Sequence, residues 1–182
     1  RGYVNGWGRC VMATVIRGSD NFDTAKSDIY EVDKWILTVN KSDDTVISAN
    51  LERAGTSFGF VSLKGTGMSQ SSGIFTFPST GFWMVSASMT WVIPAGDNVG
   101  FYIDLTQNNS TYSSGAAGLM WCSNKGSSAA STGMTASDVV KVSNVSLDKI
   151  RFRLSSLNSG SYLEGSTSNG VTAFTFIKLG DL

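Results

Sequence analysis

Residues 82–93 alternate with a period of two. Trp83, Val85, Ala87, Met89, Trp91 and Ile93 fall on one side, and Phe82, Met84, Ser86, Ser88, Thr90 and Val92 on the other. Side chains alternate across a β-strand, so the first set is expected to face a core and the segment to be a strand. The second set begins apolar and turns polar, which predicts an outer face that is covered at one end only. The same pattern recurs in Val99, Phe101, Ile103 and Leu105, with Tyr102, Asp104 and Thr106 opposite. It recurs again in Ile150, Phe152 and Leu154, which alternate with Arg151, Arg153 and Ser155. The closing run 171–179 is different. Phe174 and Phe176 share one side, Thr175, Ile177 and Leu179 the other, and both sides are apolar. A strand apolar on both faces needs a core on one side and some other cover on the second.

Polar stretches at 107–118, 123–138 and 157–170 separate these segments, and 20 glycines punctuate a chain with only 2 prolines. Strands divided by such turns read as an antiparallel sandwich or jelly roll. No segment reads as a helix; Trp35-Ile36-Leu37-Thr38-Val39 is better strand material. Residues 1–30 lack a clear period. They read as an N-terminal arm, packed on a neighbouring subunit or frayed, or as a lead-in from a preceding domain, with the jelly roll at 31–182. The first residue is Arg rather than Met, which fits a processed chain or part of a longer protein.

Composition narrows the function. The chain has no histidine, which removes the commonest general base, the commonest zinc ligand and the ordinary Ser-His-Asp and Cys-His sites. Lys plus Arg and Asp plus Glu both number 14, so no basic footprint argues for nucleic acid or an anionic membrane. No apolar run approaches the roughly 18 residues that span a bilayer. Charged residues are 15% of the chain and hydrophobic ones 41%, enough for a packed core under a surface of small polar groups. Cys10 and Cys122 make no disulfide framework and read as free, partly buried thiols, with one bridge between them as the alternative.

The most informative stretch is Gly73-Ile74-Phe75-Thr76-Phe77-Pro78-Ser79-Thr80-Gly81-Phe82-Trp83-Met84-Val85. It reads as a short strand, a turn at 78–81 and then the long strand, with the aromatics at 75 and 83 aimed into one core. It resembles the C1q/TNF-like jelly roll, whose domains carry G-x-F-T-x-P-x-x-G-x-Y-x-F. Gly73, Phe75, Thr76, Pro78 and Gly81 match, while Trp83 replaces the Tyr and Val85 the last Phe. The ending Phe174-Thr175-Phe176-Ile177-Lys178-Leu179 resembles that family's F-x-G-F-x-L at Phe174 and Leu179, with Phe176 in place of the Gly. Together with Gly65-Thr66-Gly67-Met68-Ser69-Gln70-Ser71-Ser72 and the final Gly180-Asp181, these stretches resemble the C1q-like domains of marine phage structural proteins, cyanophages especially.

The resemblance implies a ten-strand sandwich of two sheets that assembles as a threefold bell. On this reading Phe75, Trp83, Val85, Met89, Trp91, Phe101, Ile103 and Phe152 form the core. Phe82, Met84, Phe174 and Phe176 are expected at a homotrimer interface, with the N-terminal arm of the same chain as the alternative cover. Tyr112 and Tyr162, set among Ser, Gly and Asn, are candidate receptor-contact loops. Lys64-Gly65-Thr66-Gly67 lacks the order of a phosphate loop and reads as a turn. Asp20, Asp23, Asp28, Glu31 and Asp33, and separately Asp43 and Asp44, read as solvated carboxylates. Calcium is the alternative there, and no other cofactor is expected. The triplets at Asn40, Asn108, Asn109 and Asn144 matter only in a protein secreted by a eukaryote.

The function expected is therefore non-enzymatic: a trimeric phage virion protein, as the head of a tail fibre that touches a host-surface glycan or protein. The alternatives are a capsid decoration bound to other virion proteins and a secreted, extracellular C1q/TNF-like ligand or lectin module. A glycan-degrading enzyme would need two carboxylates about 5–10 Å apart among aromatics, and the sequence singles out no such pair.

Overall fold

The computed structural model describes residues 31–55 and 62–182. The expected arm at 1–30, with Cys10, Asp20, Asp23 and Asp28, lies outside the described residues. Those described form twelve strands and no helix, in place of the ten strands that the resemblance implies. All strand pairings are antiparallel and build two sheets.

The larger sheet has seven strands: β1 (Glu31–Leu37), β2 (Leu51–Arg53), β3 (Leu63–Lys64), β6 (Gly81–Ile93), β9 (Ala130–Val142), β11 (Tyr162–Leu163) and β12 (Ala173–Gly180). Its centre is β6, paired with β9 along one edge and with β12 and then β11 along the other. β12 in turn pairs with β1, with Glu31 opposite Lys178 and Ile36 opposite Ala173. The smaller sheet runs β4 (Ser69–Ser71), β5 (Ile74–Thr76), β10 (Lys149–Ser155), β7 (Asn98–Thr106) and β8 (Leu119–Ser123).

The core lies between the sheets. Phe75, Trp83, Val85, Met89, Trp91, Phe101, Ile103 and Phe152 are all there, none more than 2% exposed. Phe174 and Phe176 join them at 0%, which corrects the expectation that they meet a neighbouring subunit. A period-2 pattern tells which residues share a face, not which face is inside. Register decides it here. Phe174 lies opposite Ala87 and Trp35, and Phe176 opposite Val85 and Asp33, all inward-facing positions of β6 and β1. Small Ala87 leaves room for the ring beside it. Phe174 then stacks on Phe152 with centroids 4.2 Å apart, and Phe152 stacks on Phe101 at 5.9 Å. Such pairs add about 0.5–1.5 kcal/mol each to the gain from burial alone.

The motif at 73–85 carries the chain from one sheet to the other. At Gly73, φ is +77° and a Cβ would stand 2.1 Å from the Ile47 carbonyl oxygen. At Gly81, φ is +140° and a Cβ would meet the Gly180 carbonyl oxygen at 2.4 Å. Both positions therefore require glycine. At the same end, buried Asp33 accepts hydrogen bonds from Arg53 Nε at 2.7 Å, the Met68 amide at 2.7 Å and Trp35 Nε1 at 2.9 Å. These bonds tie β1, β2 and the approach to β4 together. The Asp33 carboxylate beside Arg53 raises the guanidinium above its ordinary value, against the opposing effect of burial.

Candidate functional site

Each sheet also has an outward face, and the two differ. On the seven-stranded sheet, strand register aligns Val139, Met84, Ile177 and Val32 across β9, β6, β12 and β1. With neighbouring strands about 4.8 Å apart, this apolar row crosses about 14 Å. Phe82 and Leu179 extend it toward the end of the sandwich where Glu31 lies opposite Lys178. Val139 and Leu179 are each 52% exposed and Phe82 41%, while Met84, Ile177 and Val32 are half-buried. The next row, Ser137, Ser86, Thr175 and Lys34, is polar. The exposed apolar patch is thus confined to one end of the face. Of the four interface residues expected from sequence, Phe82 and Met84 belong to it. Ile177 and Leu179 replace Phe174 and Phe176, and Val32 and Val139 were not foreseen. Val139 was hidden because it directly follows 123–138, which reads as a polar stretch, whereas β9 is a 13-residue strand that runs through both.

On the five-stranded sheet the outward face is charged and aromatic, with Leu119, 49% exposed, opposite Tyr102. Asp104, 1% exposed, accepts from Arg151 Nε at 3.2 Å and Arg153 Nε at 3.1 Å through one oxygen. Its other oxygen accepts from the Gly115 amide at 3.0 Å. The Arg151 guanidinium lies over Tyr112, 4.0 Å from the ring centroid, and that of Arg153 over Tyr102 at 4.1 Å. Tyr102 meets Trp121 edge-on, with centroids 6.1 Å apart. Burial pushes the Tyr112 phenol above its ordinary value; Arg151 pulls it down and Asp104 pushes it further up. Its hydroxyl is buried without a hydrogen-bond partner among the described residues.

The two tyrosines singled out from sequence do not come together. Tyr112 lies against the five-stranded sheet, under Arg151. Tyr162 is not in a loop: it pairs with Val92 in β11, on the seven-stranded sheet. The expected turn at 64–67 has Gly65 and Gly67 at positive φ. Cys122 is a half-buried free thiol in β8.

The acidic residues are engaged by donors. Glu31 accepts from Ser79 Oγ at 3.2 Å and the Gly67 amide at 3.3 Å. Asp43 pairs with Lys41 at 2.5 Å. Asp44 accepts from the Ser156 and Leu157 amides at 2.9 and 2.7 Å. Among the described residues no group of three or more His, Cys, Asp or Glu could hold a metal ion.

A scan against models of known protein families finds no match, and neither does a comparison with curated proteins. Solved structures do match. Murine APRIL at pH 8.5 is similar over 81% of this chain and 98% of its own, with 15% identity and a TM-score of 0.54. The same protein at pH 5.0 gives 14% identity and a TM-score of 0.55. Eiger TNF from S. frugiperda is similar over 83% of this chain and 93% of its own, with 11% identity and a TM-score of 0.58. At these identities the likeness shows the fold: an all-β, C1q/TNF-like jelly roll of two antiparallel sheets.

Proposed function

We propose that this chain is a non-enzymatic assembly and binding module, a homotrimer that serves as the head of a phage tail fibre. The observation that carries the assembly is the apolar row Val139, Met84, Ile177 and Val32 with Phe82 and Leu179 beside it. A contiguous apolar patch on a sheet face marks an interaction surface. The resemblance at 73–85 supplies the symmetry, a threefold bell, in which copies of the same chain cover that face. An obligate interface of this kind buries on the order of 2,000 Å² or more. Binding in place of catalysis is supported by a chain without histidine.

Mass measurement by light scattering at micromolar and lower concentration tests the assembly; three subunits are expected, and a monomer throughout overturns it. Virions lacking the protein test the role. Loss of adsorption supports the fibre head, and normal adsorption with weakened capsids favours a decoration instead. The likeness to murine APRIL and Eiger TNF favours a second reading, a secreted TNF-like ligand. A secretory leader preceding residue 1 in the full gene would select it and reject the virion.

A further inference from the structure

The outward face of the five-stranded sheet has the parts of a ligand platform. Trp121 is 48% exposed, although an indole normally contributes most when covered. It lies over Gly100, where any Cβ would stand 3.2 Å from the ring. The glycine thus makes a seat in which the indole lies flat with one face outward. Beside it Tyr102 and Arg153 stack, and Asp104 holds Arg153 and Arg151 by Nε alone. Arg153 Nη2 reaches Ser114 Oγ at 2.5 Å. Two guanidinia share one carboxylate, so one positive charge is unbalanced among the described residues, and both side chains keep about a quarter of their surface, 27% and 24%.

We propose that this face binds an acidic saccharide, with one sugar ring stacked on Trp121 and its carboxylate or sulfate held by Arg153 and Arg151. The C–H face of a pyranose is apolar and weakly positive and complements the negative face of an indole. A guanidinium fork matches the oxygens of a carboxylate or sulfate in pairs, which an ammonium cannot do. Asp104 is a positioning residue: it fixes both forks before the ligand arrives, which lowers the entropic cost of binding. The inference deepens the receptor-binding role proposed above but does not need the trimer, because all these residues lie in one subunit. Three copies would add avidity.

The test titrates the whole chain with three probes of equal length: alginate oligosaccharides (carboxylated), dextran sulfate oligosaccharides and neutral dextran. Calorimetry gives affinity, and acrylamide quenching of tryptophan, read as the difference from Trp121→Phe, reports cover on Trp121. The proposal expects saturable binding to an acidic probe, at least about tenfold tighter than to dextran, with protection of Trp121; the tighter acidic probe names the anion. Trp121→Ala should weaken binding about tenfold. Arg151→Lys, which keeps the charge and loses the fork, should weaken it severalfold. Gly100→Ala, which displaces the indole without removing it, should weaken it too. Equal affinity for dextran, no binding at millimolar probe, or unchanged affinity in Trp121→Ala overturns the site. So does a Trp121 already shielded from acrylamide in the free assembly, since another subunit then covers it. Subunit mass measured on the same samples reads the assembly proposal separately.

Discussion

The two outward faces are built from the same strand geometry and solve opposite problems. The seven-stranded sheet presents Val139, Met84, Ile177 and Val32, side chains with no hydrogen bonds to satisfy. The five-stranded sheet presents Arg151, Asp104, Arg153 and Tyr102, each of which engages its neighbours. An apolar face is stabilised by losing water and accepts any surface of matching shape. A face of fixed donors keeps some water and selects a partner by the position of charge. The first suits a permanent contact between copies, and the second a reversible contact with something else.

Substitutions that touch one face and spare the other test that division. Ile177→Asp should have the largest effect. A carboxylate placed in each copy of an apolar contact costs about 2 kcal/mol, or about 6 kcal/mol per trimer. Light scattering should then show monomer while circular dichroism still shows a folded β protein; an intact trimer would place the contact elsewhere. Asp104→Ala comes next. It unpairs two arginines and the Gly115 amide, for a loss of about 2–3 kcal/mol in urea unfolding. The figure sits low because the freed guanidinia, already a quarter exposed, turn to water. Subunit mass should not change. Trp121→Ala should move stability by less than about 0.5 kcal/mol; a larger loss would make the indole a structural part and weaken the contrast.

The smallest effect is electrostatic. The Tyr112 pKa is raised by burial, so its neutral form is the one the fold favours. That contribution is complete below the ordinary tyrosine value of about 10 and disappears as pH rises through the higher folded value. Ultraviolet titration of wild type against Tyr112→Phe should show the loss of one phenol that ionises above the ordinary tyrosine value.

Much of the sandwich is legible in the sequence. The inward set of β6 and those of β7 and β10 follow from alternation, because one side of each strand is apolar and the other is not. β12 is not decided that way. Both its sides are apolar, and only the positions of Ala87, Val85 and Trp35 on neighbouring strands turn Phe174 and Phe176 inward. β9 is hidden for another reason. It is an edge strand, rich in Ser and Thr, and its inward side, Thr132, Met134, Ala136, Asp138, Val140 and Val142, is too mixed to stand out. The platform is half visible. Alternation puts Arg151 with Arg153, and Tyr102 with Asp104. That these two pairs meet depends on β10 lying beside β7, a pairing between residues about 50 apart in the chain that no local pattern encodes. Trp121 carries no signal at all, since a lone exposed indole looks like any other until Gly100 is found beneath it.

The antiparallel pairing of β1 with β12 gives the molecule a fixed polarity. Because Glu31 lies opposite Lys178, the start of β1 and the end of β12 lie at one pole. Anything joined after the last strand, whether a shaft, a neighbouring domain or a laboratory tag, starts beside that pole. Trp121 and its arginines then sit on the outward face of the five-stranded sheet, with Trp121 two residues from the Asn98–Ser123 pair at the end away from that pole, so a polymer would reach them from the flank or from that far end.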